Sequence, residues 1–65
     1  MEWIKLRKIG PNLYEPFEYV EPKLPFVGTK RIMLYVTIDR YEFVEEKNAR
    51  IDQNGDLYLT EEEVF

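Results

Sequence analysis

Apolar and polar residues alternate along most of this 65-residue chain, and a period of two residues predicts β-strands. In residues 2–9, Ile4 and Leu6 fall on one face of such a strand. In residues 31–38 the alternation is strict and rich in β-branched side chains, which favours a central strand. These segments, with a hairpin signal near the C-terminus, predict a small, mainly β domain.

We expect a single domain, residues 1–65, folded as an antiparallel meander of about five strands in an SH3-like or barrel-like form. A short C-terminal helical turn capped by Thr60 follows the last strand. The predicted core is a set of ten inward-facing apolar residues: Ile4, Leu6, Ile32, Leu34, Val36, Ile38, Ala49, Ile51, Leu57 and Leu59. The alternative is an α+β fold with a helix at about residues 39–48, because Asp39 and Glu42 have capping-box spacing. The apolar residues of this stretch do not complete a second helical turn, which favours a long bent strand.

Four prolines interrupt an aromatic-rich arm at about residues 11–27. Because proline has no amide hydrogen to donate, this arm cannot be a central strand or a helix, and we expect an edge strand and an extended segment. Its apolar side chains are too numerous for a solvated linker, so the arm must pack either on the core of the same chain or on a partner. Packing on the core of the same chain is favoured. The residues that would contact a protein partner are Tyr14, Phe17, Tyr19 and Phe26.

The segment from Asp52 to Asp56 has two interpretations. The oxygen-bearing residues Asp52, Asn54, Asp56, Tyr58, Thr60 and Glu63 have the spacing of calcium ligands and resemble the loop of the EF-hand family. Leu57, however, stands where that loop needs glycine. A β-hairpin with Gly55 in the left-handed conformation pairs Ile51 with Leu57 and leaves Arg50, Asp52, Asp56 and Tyr58 on a polar face. The hairpin is favoured, and no metal ligands are assigned.

The composition excludes several classes of function. The chain has no cysteine, no histidine and no serine, so it cannot form a disulfide, a thiol nucleophile or a Ser–His–Asp triad. A domain of this length also has little interior for a pocket that would separate the pKa values of two carboxyl groups. We therefore expect no enzymatic activity and no cofactor.

The charges are distributed unevenly around a net charge of −4. Residues 1–31 hold six bases and four acids, whereas residues 32–65 hold three bases and nine acids. The favoured function is a non-catalytic protein-interaction module or accessory subunit that binds a protein partner or its own copy. The alternative is a nucleic-acid-binding small barrel, because a basic and aromatic stripe can contact phosphates and bases. Its residues would be Trp3, Lys5, Arg7 and Tyr35.

The sequence also carries expectations about location. Its first eight residues alternate charged and apolar side chains and contain no secretory apolar segment. No apolar run approaches the roughly 20 residues that span a bilayer. We expect a cytoplasmic protein without a membrane partner.

Overall fold

The computed structural model describes residues 2–65, in which five β-strands form a ring-like sheet. The elements are β1 (Trp3–Gly10), β2 (Leu13–Tyr19), β3 (Gly28–Ile38), β4 (Tyr41–Ile51), β5 (Leu57–Thr60) and the single helical turn α1 (Glu61–Val64). Each strand pairs with the next one along the chain, and β5 pairs with β1. The mainly β, barrel-like fold predicted from the alternating pattern is therefore confirmed.

The five seams of this ring differ in direction and length. Four of the strand pairs are antiparallel, whereas β2 and β3 are parallel. The parallel pair is short and aligns Leu13 with Met33 and Tyr14 with Leu34. The predicted antiparallel meander did not include it. The antiparallel β3–β4 ribbon is much longer and pairs eleven residues of each strand. Because its neighbours β2 and β5 are shorter, the turn end of the ribbon reaches past them, and the molecule measures 34 × 25 × 15 Å.

Residues 39–48 form the turn of the β3–β4 ribbon and most of β4. Asp39 and Arg40 are the two turn residues, with φ values of 49° and 72°, and Ile38 lies directly opposite Tyr41. Residues 41–48 are strand, as favoured, and the alternative helix is wrong. The expectation of one long bent strand through this stretch is also wrong, because the chain reverses at Asp39 and Arg40. These residues lack the Asn-Gly signal of such turns, and side chains with a β-carbon seldom adopt positive φ.

The hydrophobic core lies inside the ring and largely matches the predicted set. Eight of the ten predicted residues are buried, and Ile51 is partly buried against them. Ile38 is exposed, so its assignment to the core is wrong, because it lies beside the ribbon turn where no neighbouring strand covers it. Tyr14 from β2 and Val64 from α1 complete the core.

The C-terminal hairpin has the register predicted from its side-chain pattern. Ile51 faces Leu57, the Asp52 amide donates to the Asp56 carbonyl at 3.0 Å, and Gly55 has a φ of 85°. Tyr58 and Thr60 of the suggested calcium loop lie in strand β5 and Glu63 lies in α1, so this segment is a β-hairpin and not an EF-hand loop.

The helical turn α1 closes one end of the ring. The Thr60 hydroxyl accepts a hydrogen bond from the Glu63 amide at 3.2 Å, and the Glu63 carboxylate accepts one from the Thr60 amide at 2.9 Å, which confirms the predicted cap. Val64 is buried in the core, whereas Phe65 remains exposed. No helix among residues 2–65 has both the length and the apolar character needed to cross a membrane.

Gly55→Ala tests the left-handed position in the C-terminal turn. It places a β-carbon on a backbone with a φ of 85°, and we expect the free energy of unfolding to fall by about 1 kcal/mol. Gly28→Ala is the matched control, because Gly28 lies outside that region and its new β-carbon would meet nothing within 4 Å. We expect the control to be neutral or slightly stabilising. Urea denaturation measures both variants, and equal losses would contradict the assigned turn.

Candidate interaction site

The four aromatic residues assigned to the interaction arm do not form one surface. Tyr14 is buried in the core, where its hydroxyl accepts a hydrogen bond from the Lys30 ammonium at 3.3 Å. Phe26 packs against other aromatic rings of the chain. Phe17 and Tyr19, both on β2, are exposed. The fold therefore uses Tyr14 and Phe26 internally and leaves the other two residues available.

Residues 20–27 lie over the outer face of β1 and β5. The ring of Phe26 contacts Trp3 and Tyr58, with centroid distances of 4.9 and 6.4 Å. Pro22 is buried, and only 2% of Tyr58 is exposed. The predicted hairpin register is right, and residues 20–27 cover part of the face that carries Asp52 and Tyr58.

The carboxylate of Asp52 fastens this covering segment to the C-terminal hairpin. One carboxylate oxygen accepts a hydrogen bond from the Lys23 amide at 3.0 Å. The other accepts hydrogen bonds from the amides of Asn54 and Asp56 at 2.9 and 3.0 Å. Gln53 donates two further hydrogen bonds to carbonyls of the covering segment, at 3.1 and 2.8 Å. The carboxylate thus joins two segments that are far apart in the sequence.

These contacts set the protonation states of Asp52 and Tyr58. Burial raises the pKa of Asp52, but hydrogen bonds from the three amides and from the Tyr58 hydroxyl outweigh it and hold the pKa below its ordinary value. Burial and then the negative charge of Asp52 raise the pKa of Tyr58 to about 12. The pair therefore consists of a carboxylate and a neutral phenol at neutral pH. In residues 2–65 no three Asp or Glu side chains are grouped closely enough to hold a metal ion.

The two basic residues of the nucleic-acid hypothesis, Lys5 and Arg7 on β1, have acidic partners. The Lys5 ammonium lies 3.6 Å from the Asp56 carboxylate, and Arg7 forms an ion pair with Glu15 on β2. The Arg7 guanidinium also lies over the ring of Phe17, 4.9 Å from its centroid. These contacts reduce the positive charge that β1 could offer to a phosphate backbone.

The two aromatic residues of the nucleic-acid hypothesis lie on different strands. Trp3 on β1 is partly buried between Phe26 and the Arg50 guanidinium, which is 5.6 Å from its ring centroid. Tyr35 lies on β3 opposite Val44, and β2 separates β3 from β1. The structure brings Trp3 close to the basic residues of β1 but not to Tyr35. Nucleic-acid binding stays a prediction.

Exposed apolar side chains gather at the turn end of the β3–β4 ribbon. Ile38, Tyr41 and Phe43 lie on the ribbon face that leads into the core, and they are 42%, 69% and 46% exposed. Phe65, which follows α1, lines the same region and is 64% exposed. We name these four residues the tip patch. Sequence reasoning missed it because, without the turn at residues 39–40, Ile38 was placed in the core.

A groove of about 210 Å³ lies between the ribbon and α1, beside the tip patch. It is lined by Leu34, Val36, Ile38, Phe43, Glu45, Lys47, Glu62, Glu63, Val64 and Phe65. Burial raises the pKa of Glu63, but hydrogen bonds from the Thr60 amide and the Arg50 side chain outweigh it and hold the pKa below its ordinary value. The groove combines apolar side chains with three carboxylates, of which Glu45 pairs with Lys47 at 3.3 Å and Glu63 pairs with Arg50. Glu62 is the carboxylate of the groove for which the described residues show no ion pair, and an apolar side chain next to a cation would suit this lining.

Comparisons with protein-family models, with curated proteins and with solved structures found no match to this chain. Its function therefore has to be inferred from the surfaces and contacts described above.

Acid titration tests the role of Asp52. Because its pKa is lowered by folding, the carboxylate contributes stability that is fully present above its unfolded pKa of about 3.9 and is lost as the pH falls through the folded pKa. For Asp52→Asn we expect a lower melting temperature near neutral pH and a weaker dependence of that temperature on pH below about 4. Asp56→Asn, in the same turn, controls for the change of charge. Thermal melts followed by circular dichroism would contradict this role if Asp52→Asn kept the full dependence.

Alkaline titration tests Tyr58. Folding raises its pKa to about 12, so the stability due to its neutral phenol is fully present below about pH 10 and is lost as the pH rises through the folded pKa. We expect Tyr58→Phe to lose less stability than the wild type between about pH 10 and pH 12. Urea unfolding at each pH measures this, with Tyr41→Phe at an exposed site as the control. The same steep loss in Tyr58→Phe would assign alkaline unfolding to other groups.

Proposed function

We propose that this chain is a non-catalytic, acidic protein-interaction module or accessory subunit, and that its contact surface is the tip patch with the adjoining groove. The observation that carries the proposal is the gathering of large apolar side chains, 42% to 69% exposed, on one face of the ribbon. Grouped apolar side chains of this kind are typical of interaction sites, and a partner that covers them gains hydrophobic stabilisation. This surface takes the place of the arm, in which Tyr14 and Phe26 serve the chain's own packing.

The groove suggests the chemistry of the partner. Its apolar side chains fit an apolar side chain of the partner, and the carboxylate of Glu62 also lines it, beside the Glu45–Lys47 ion pair. The C-terminal half of the chain, which supplies most of this surface, carries nine acids and three bases. A partner surface with an apolar anchor and neighbouring basic residues is therefore favoured.

The non-catalytic part of the proposal is supported by how the chain uses its titratable groups. Asp52 fastens the covering segment to the hairpin, and Glu63 caps α1. Each of these carboxylates already accepts several hydrogen bonds. These two carboxylates therefore stabilise the fold, which favours a structural role for them over acid–base catalysis.

A double substitution in the tip patch tests this proposal. We expect Tyr41→Ser with Phe43→Ser to weaken partner binding by about tenfold or more, because hydrophobic anchors dominate such interfaces. Leu24→Ser with Val27→Ser, which also removes two exposed apolar side chains, is the matched control. The two double variants and the wild type each serve as bait in a crosslinking experiment, and the partners that they capture are compared. Sedimentation equilibrium at two concentrations detects self-association. If both variants keep the partners and the mass of the wild type, the tip patch is not the contact surface.

A further inference from the structure

The strand β4 has one unpaired edge over residues 41–49. Its other edge pairs with β3 along its whole length, whereas within residues 2–65 the neighbour β5 reaches β4 at Arg50 and Ile51 alone. An unpaired strand edge presents a row of backbone donors and acceptors that another strand can complete. This edge borders the tip patch, which includes Tyr41 and Phe43.

The register of the ribbon shows which backbone groups are free on this edge. Residues that flank a two-residue turn form a hydrogen-bonded pair, and such pairs then alternate with non-hydrogen-bonded ones. Ile38 and Tyr41 are the flanking pair. The amides and carbonyls of Glu42, Val44, Glu46 and Asn48 therefore point away from β3. Arg50 has the same parity, and it pairs on this side with Tyr58 of β5, as the alternation requires.

The side chains along this edge have a defined pattern. Glu42, Val44 and Glu46 follow one another on the outer face, and Val44 lies opposite Tyr35. Glu46 is 3.6 Å from Arg31, but 56% of its side chain is exposed, and an ion pair this exposed exchanges readily. The edge thus offers an apolar position between two carboxylates.

A second copy of the chain does not suit this edge. Antiparallel pairing of two β4 edges centred on Val44 would place Glu42 opposite Glu46, and centring on Glu45, Glu46 or Lys47 would place that residue opposite itself. Centring on Phe43 avoids like charges but aligns residues 41–45 alone, because β4 begins at Tyr41. Like charges directly opposite one another destabilise a sheet, and edge charges are a common means of blocking self-pairing. A strand with basic side chains at the corresponding positions would instead form favourable cross-strand pairs.

We propose that the free edge of β4 binds an extended basic segment of a partner protein by antiparallel strand addition, with basic side chains opposite Glu42 and Glu46 and an apolar one opposite Val44. This inference rests on the proposed function, since it names the partner segment of the same interaction surface. Backbone hydrogen bonds supply affinity in this binding mode, and alternate side chains supply selectivity. The segment's apolar side chain packs against Val44 and Tyr35.

The probe is a short acetylated peptide with lysine, valine and lysine at alternate positions and threonine at all others. Titration into the ¹⁵N-labelled chain is followed by amide chemical shifts and hydrogen exchange. We expect protection to rise at the amides of Glu42, Val44 and Glu46, and to change little at Phe43, Glu45 and Lys47, which already donate to β3. Charge attraction without strand pairing would not give this alternation.

Matched peptides and protein variants test each part of the inference. Methylating the valine amide should weaken binding by about tenfold or more, because it removes a central hydrogen bond, whereas methylating the adjacent threonine amide, on the far side of the added strand, should not. Glu42→Gln with Glu46→Gln should weaken binding by about fivefold. The control is Glu18→Gln with Glu21→Gln, which makes the same change in net charge elsewhere. It should cost less than half of the binding free energy that the edge variant loses.

Three outcomes would overturn strand addition: no binding, uniform shifts without alternating protection, or equal weakening by the two methylated peptides. Loss of partner binding in the tip-patch variant Tyr41→Ser with Phe43→Ser would still support the proposed function in those cases. Conversely, alternating protection by the peptide together with an unaffected tip-patch variant would contradict the proposed function and keep the strand-addition site.

Discussion

The buried carboxylate of Asp52 is the contact on which the other surfaces of this chain depend. It binds the Lys23 amide of the covering segment and two amides of the C-terminal turn. A buried carboxylate without such donors would be strongly unfavourable, so the covering segment and the turn have to be in place together. With that segment held down, Phe26 can pack on Trp3 and Tyr58. A small domain without disulfides gains from this a second apolar layer outside its ring.

The position of the covering segment also decides which aromatic side chains remain exposed. Trp3, Phe26 and Tyr58 are used to cover the outer face of β1 and β5, and Tyr14 fills the core beside the short β2–β3 seam. The ribbon end receives no such cover, because β2 and β5 stop short of it. Exposed apolar surface is consequently concentrated at the tip patch, at the opposite end of the ribbon from Asp52.

The charges and the backbone geometry of the ribbon both restrict which strand can pair with the free edge of β4. The turn at Asp39 and Arg40 fixes the parity of the ladder, and this parity determines which amides of β4 face solvent. The glutamates along that edge oppose pairing with an identical edge and favour a basic strand. Under the proposed function, the negative charge of this edge therefore bears on the choice of partner.

Local patterns in the sequence predicted most of the strands, most of the core and the C-terminal turn, but not the turn at residues 39–40 or the position of β2 between β1 and β3. Alternation assigned Ile32, Leu34 and Val36 to the interior, and Gly55 specified the hairpin register, because both depend on residues within a few positions of one another. Only the tertiary structure decided that Asp52 and Tyr58 are buried and that the ribbon end is bare. The Lys23 and Asp52 partners are 29 residues apart, and contacts over such separations depend on how whole segments pack, which the local alternation of residues does not encode.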